Sequence, residues 1–343
     1  MAGMVKSARY LSILFLILSL LGCAPIPKLS KEQRRTIRSV LKTAPPEVVK
    51  GQTGYAVNDG NKIWYEQIPA KTNKKGTVLL IMGNGQDALA WPPDFISYFN
   101  DAGYEIIRFD HRGTGLSSYV KKWKKLDPYT LNDMADDAIA ILDTLAIEKA
   151  HIVGASMGGM IAQLIAIEHP ERSATLTSIM SSGHVMDDKL PPMSNEVLPK
   201  MISAVLNHGF FGNKKGQIKR QIVQKRILMG GATGEIDVKT LTEVSYYNLK
   251  KRDGYNLMAA RHHFAAILLS GSRYDQLSNL KIPVLLVHGE KDPVMPIEHS
   301  KKLDSIIPGS THLWIENMGH DLPDEAIPEI TAKIISNLTR KED

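Results

Sequence analysis

A serine between glycines, in His151-Ile152-Val153-Gly154-Ala155-Ser156-Met157-Gly158-Gly159, carries the strongest chemical signal in this sequence. A short apolar strand running through Gly-x-Ser-x-Gly into a helix reads as a nucleophile elbow, a sharp turn that lifts the serine hydroxyl clear of its sheet. Gly154 and Gly158 suit such a turn because it brings backbones too close for a Cβ. Ser156 then stands at a helix N-terminus, where free N–H groups favour developing negative charge. The chemistry in view is attack on an acyl carbonyl. A serine hydroxyl is a poor nucleophile until a base takes its proton, and that base needs a third group to hold its tautomer. Ordinary glycine and serine usage also produces the pattern by chance, so its meaning depends on partners elsewhere in the chain.

Those partners are expected in the order serine, acid, histidine. After Ser156, the apolar run Val284-Leu285-Leu286-Val287 ends in His288-Gly289-Glu290-Lys291-Asp292-Pro293, which makes Asp292 the candidate acid on a loop past a strand. The next apolar run, 313–315, leads into Glu316-Asn317-Met318-Gly319-His320-Asp321, which makes His320 the candidate base. Asp187 and Asp188 are fallback acids; Glu290 and Asp321 are less well placed, and His288 reads as a packed strand-end histidine. An oxyanion needs two preorganised donors. One is expected from the Met157 amide. The other is expected from the loop Met82-Gly83-Asn84-Gly85, with the Asn84 amide favoured and Gly83 the alternative.

The elements that must position these groups alternate. Asn58-Asp59-Gly60-Asn61 is a hairpin signal between Val57 and Ile63-Trp64-Tyr65-Glu66. The continuous apolar run at 77–82 reads as a strand buried on both faces, and 105–109 as a second such strand. Residues 131–145 have helical periodicity, with Thr130 or Asn132 as cap, and further strands are expected at 151–153, 175–180, 284–288 and 313–315. Helices are expected at 157–169, 296–306 and 325–338. Such repeated strand–helix units imply an α/β fold: a mostly parallel central sheet with helices on both faces. Residues 183–278 interrupt the alternation with a largely helical, Met- and Leu-rich stretch, placed where a cap would lie over the serine. Asp110-His111-Arg112-Gly113-Thr114-Gly115-Leu116-Ser117 lacks the lysine and spacing of a phosphate loop, so Asp110 and Arg112 are expected to tie loops together near the site. Trp91 either walls the pocket or anchors the following helix, and Lys121-Lys122-Trp123-Lys124-Lys125 reads as a solvated loop or a lipid contact.

Composition sets the outer limits. The chain has 343 residues, 43% hydrophobic and 23% charged, so a folded protein with a sizeable core is expected. The formal net charge of +6, without basic runs interleaved with stacking aromatics, argues against a nucleic-acid partner. Lys6 and Arg9 precede the apolar stretch 11–21, too short to span a bilayer of roughly 30 Å but suited to a signal peptide. It ends in Leu20-Leu21-Gly22-Cys23, which resembles a bacterial lipobox and makes Cys23 the expected lipidation site. As the one cysteine, Cys23 leaves no internal disulfide to form. Residues 24–51, with Pro25, Pro27, Pro45 and Pro46 and with Lys28, Lys31, Arg34, Arg35 and Arg38 in a short helical patch, read as a tether that is either solvated or rests on anionic headgroups.

Taken together, Ile81-Met82-Gly83-Asn84-Gly85, Phe109-Asp110-His111-Arg112-Gly113-Thr114-Gly115, Gly154-Ala155-Ser156-Met157-Gly158-Gly159 and Met318-Gly319-His320-Asp321-Leu322-Pro323 resemble the α/β-hydrolase superfamily. They are similar to its branch that contains aclacinomycin methylesterase. The resemblance covers nearly everything after residue 55 and implies a helical cap and hydrolysis of a carboxylic ester, with Ser156, Asp292 and His320 at the triad positions. The Gly-Asn-Gly oxyanion loop and the preceding lipobox depart from that branch. The expected organisation is a signal peptide at 1–22, a tether at 23–51, hydrolase core at 52–182 and 279–343, and a helical cap at 183–278. The expected function is a lipid-anchored serine hydrolase of the bacterial cell envelope, acting on esters of small or lipid-like molecules without metal or organic cofactor. An acyltransferase or a C–C bond hydrolase with the same triad is the first alternative, and a non-catalytic envelope binding protein the second. Nothing in the sequence indicates an oligomeric state.

Overall fold

The computed structural model describes residues 24–119, 128–208 and 213–340. The expected signal peptide, Cys23 and the 121–125 lysine cluster lie outside them. Eight strands form one sheet: β1 (Gln52–Asn58), β2 (Asn61–Ile68), β3 (Gly76–Ile81), β4 (Tyr104–Phe109), β5 (Ala150–Ala155), β6 (Ser173–Ile179), β7 (Val284–Gly289) and β8 (Thr311–Ile315). Their order is β1-β2-β4-β3-β5-β6-β7-β8. The first two pairings are antiparallel and the rest parallel. The β1–β2 turn has both central residues at positive φ, Asp59 at 45° and Gly60 at 74°, as a two-residue hairpin requires.

The unbroken apolar runs follow from helices on both faces. Leu79, Ile81, Leu286 and Val284 point toward α3 (Leu131–Thr144), α4 (Met157–Glu168) and α10 (Glu298–Ile306). Their neighbours Val78, Leu80, Leu285 and Val287 point toward α2 (Pro93–Asp101) and α11 (Ile327–Leu338). Thr130, not Asn132, caps α3, in a reciprocal box with Asp133. Trp91 anchors α2: it is buried and stacks on Phe95 with ring centres 4.9 Å apart.

Between β6 and β7 stand α5 (Val197–His208), α6 (Lys214–Leu228), α7 (Val238–Lys251), α8 (Leu257–Leu269) and the short α9 (Tyr274–Leu277). The tether expected at 23–51 is, over its described residues, a docked segment instead. Ser30 caps α1 (Lys31–Val40), whose Ile37 and Val40 pack against Ile218 and Ile222 of α6 and Val238 and Tyr246 of α7. Ser203 donates to the Ala24 carbonyl at 2.9 Å, and the Lys50 and Gly51 amides donate to Glu66, both at 2.7 Å. Prolines and cations dominate this segment's composition, but its few apolar side chains recur at helical spacing and find an apolar surface to cover.

Candidate active site

The sharp turn after β5 places Ser156 at φ 56° and ψ −120°, a strained setting for a residue with a side chain. Its amide donates to the Ile179 carbonyl at 2.8 Å, and its carbonyl accepts from the Ser181 hydroxyl at 2.7 Å. A Cβ on Gly154 would collide with the Gly158 carbonyl, and one on Gly158 with the carbonyls of Ile81 and Met82.

Three side chains from three loops meet at this turn. His320 Nε2 lies 2.9 Å from Ser156 Oγ, and His320 Nδ1 lies 2.7 Å from Asp292 Oδ2. A carboxylate can only accept, so Nδ1 carries the imidazole proton and Nε2 offers its lone pair to the serine hydroxyl. The other carboxylate oxygen of Asp292 accepts from the amides of Val294 and Met295, both at 2.8 Å. Burial works to raise the Asp292 pKa. The His320 charge and hydrogen bonds from His288 and His320 outweigh it, and the carboxyl stays well below the usual carboxylate range. His288 is fully buried, donating to the Met295 carbonyl at 2.7 Å. The fallback acids stand elsewhere, Asp187 accepting from Tyr274 and Asp188 exposed; of the less well placed pair, Asp321 faces Lys225 of α6 and Glu290 is exposed.

Beside the serine runs the loop after β3. A Cβ on Gly83 would stand 3.2 Å from Ser156 Cβ and 3.6 Å from its Oγ, so this backbone borders the nucleophile. The amides of Gly83, Asn84 and Met157 donate to no group among the described residues, and of these Gly83 and Met157 adjoin Ser156. Two histidines hold the loop from behind. His111 Nε2 donates to the Met82 carbonyl at 2.8 Å. On α8, His263 Nε2 donates to the Arg112 carbonyl at 2.9 Å and its Nδ1 accepts from the Gly85 amide at 3.1 Å. Asp110 accepts from the Ala88 and Leu116 amides and pairs with Arg252, while Arg112 grips Asp137 with two bonds of 2.7 Å. The expected loop-tying role of Asp110 and Arg112 is therefore what their contacts provide. Nothing in the sequence distinguishes His263 among the eleven histidines, whereas His111 stands inside the Asp110–Ser117 motif, where its type alone does not disclose the bond it makes. Another contact without a sequence signal comes from α6, whose Leu228 carbonyl accepts from the His320 amide at 2.8 Å. No cluster of three metal-ligating side chains occurs among the described residues.

A family model for the alpha/beta hydrolase fold matches residues 76–326. The chain is an α/β hydrolase. It is 31% identical over 308 residues to rhodomycin D methylesterase of Streptomyces peucetius, covering 84% of this hydrolase and 98% of that enzyme. It is 26% identical over 261 residues to the 2-hydroxy-6-oxononadienedioate/2-hydroxy-6-oxononatrienedioate hydrolase of Paraburkholderia phymatum, covering 72% of this hydrolase and 81% of the other. A solved hydrolase from Pseudomonas aeruginosa superimposes with a TM-score of 0.62 at 20% identity, over 84% of this chain and 99% of that one.

The buried histidines of the hydrolase make its stability depend on pH. Burial lowers the His111 pKa to about 4, and burial together with the His111 charge lowers that of His263 to about 3. In the unfolded chain both return to about 6.5. Below that pH the unfolded state binds protons that the folded state refuses, so stability falls as pH falls, by up to about 1.4 kcal/mol per pH unit for each imidazole. Urea midpoints at pH 7, 6 and 5 should decline progressively, and His263→Phe should flatten the decline. A flat wild-type profile contradicts this account.

Proposed function

We propose that this hydrolase cleaves carboxylic esters through an acyl-enzyme. The observation that carries the reading is the unbroken hydrogen-bond chain from Ser156 through His320 to Asp292, at 2.9 and 2.7 Å. Ser156 Oγ attacks the acyl carbonyl as its proton passes to His320 Nε2, and the ionised Asp292 stabilises the resulting imidazolium. His320 then protonates the departing alcohol, and water repeats the sequence to release the acid. The free amides of Met157 and Asn84, with Gly83 as the alternative to Asn84, receive the oxyanion. Such a donor contributes about 3 kcal/mol to the transition state. The methylesterase relative supports an ester as substrate, and the helical insertion covers the acyl group.

A C–C bond hydrolase uses the same three residues, and the Paraburkholderia relative favours it as the second reading. Product analysis on esters of graded chain length, with competing alcohols, separates hydrolysis from acyl transfer, and turnover of a vinylogous 1,5-diketone but of no ester would favour the C–C reading. Free acid is expected; a new ester indicates acyl transfer. A fluorophosphonate should label Ser156, and failure to label or turn over any ester overturns the reading. For location, the lipobox-like Leu20-Leu21-Gly22-Cys23 supports a diacylglycerol on Cys23 and residence on a bacterial envelope membrane.

A further inference from the structure

Helix α1 carries more positive charge than its packing uses. A helix advances one turn per 3.6 residues, so Lys31, Arg34, Arg35 and Arg38 share one ridge, opposite the buried Ile37 and Val40. All four cations are exposed, and none pairs with a carboxylate among the described residues; Arg34 donates only to the Leu29 carbonyl, at 2.6 Å. Exposed Lys28 and Lys42 prolong the ridge at either end, and Glu32 is the only acid between residues 24 and 42.

A run of charge on a mobile linker is ordinarily just solvated. This one differs in two respects. It is held rigid, since a reciprocal box between Ser30 and Gln33 starts the helix and its inner face is seated on α6 and α7. It also begins eight residues after Cys23, a stretch of chain that reaches at most about 28 Å. A lipid on Cys23 therefore confines the ridge to the neighbourhood of the headgroups.

We infer that α1 is a bilayer-facing element whose cationic ridge lies on anionic phospholipid headgroups. Through Ile37 and Val40 it fixes how the helical insertion faces the membrane. This rests on the lipid anchor proposed above. Each cation near an anionic surface strengthens attachment by about fivefold, so the four together act well beyond what the linker alone provides.

The full anchored chain, in nanodiscs of phosphatidylcholine with or without phosphatidylglycerol, tests this. Intact mass first establishes the diacylglycerol on Cys23; its absence overturns the anchor and the distance argument with it. A fluorophore on Ser39→Cys, exposed on the flank of α1, then reports proximity to headgroup-nitroxide lipid. Strong quenching is expected with phosphatidylglycerol at low salt. It should fall severalfold with added salt, in phosphatidylcholine alone, and in the variant Lys31→Ser/Arg34→Ser/Arg35→Ser/Arg38→Ser, while turnover of a soluble ester stays unchanged. Equal quenching in both lipids, or quenching retained in the variant, overturns the inference even where the anchor stands. Binding of the ridge to duplex DNA without lipid-dependent quenching overturns it as well.

Discussion

His320→Ala is expected to lower kcat for ester hydrolysis by about 10⁴-fold or more while KM changes little. The reason lies in proton bookkeeping. With Nδ1 committed to Asp292, only Nε2 can take the serine proton, and it lies 2.9 Å from Oγ. Among the described residues, His288 is held by the Met295 carbonyl and His263 by the Arg112 carbonyl, so neither substitutes as base. Ser156→Ala should cost about as much, and the double variant hardly more, because the two act as one unit. Asp292→Asn should also lose about 10⁴-fold, since the amide favours the wrong imidazole tautomer. Steady-state kinetics on one soluble ester checks all four proteins. Losses that multiply across the double variant would mean that serine and histidine act separately.

Gly158→Val is expected to destabilise the fold strongly, by about 4 kcal/mol. A Cβ there meets the Met82 carbonyl oxygen at 2.7 Å and the Ile81 carbonyl closer still. Neither can retreat, because Ile81 is paired with Gly154 in the β3–β5 ladder at the centre of the sheet. The turn itself stores strain at Ser156, so it has little reserve to absorb more. In a chain of 343 residues, 4 kcal/mol corresponds to a drop of about 6 °C in Tm. Thermal unfolding of the variant measures it, and a Tm within about 1 °C of wild type would show that the elbow relaxes easily.

Much of this molecule can be read from the chain because its core repeats one local rule. Strands such as β7, apolar without a break over 284–287, announce burial on both faces, and their alternate residues do pack on different helices. Ser156, Asp292 and His320 were legible for a related reason: each follows a strand, and parallel strands deliver their following loops to one edge of the sheet. What stayed hidden depends on distant pairings. His263 reaches Gly85 across 178 residues, and Tyr247 reaches Glu47 across 200. Such contacts leave no periodicity to detect. At α1 the helical patch is legible but its docking is not, since prolines and charges outnumber the two buried residues that seat it.

Both working loops of the hydrolase are fastened by the same insertion: His263 holds the Gly85 amide, and the Leu228 carbonyl holds the amide of His320. A piece that braces two loops of a mechanism is a keystone rather than a door. It cannot be exchanged for a foreign insertion to alter substrate preference unless the newcomer brings an acceptor for each amide. Grafts that respect only the shape of the pocket should fold and yet turn over slowly, because the geometry of attack belongs as much to the borrowed segment as to the sheet beneath it.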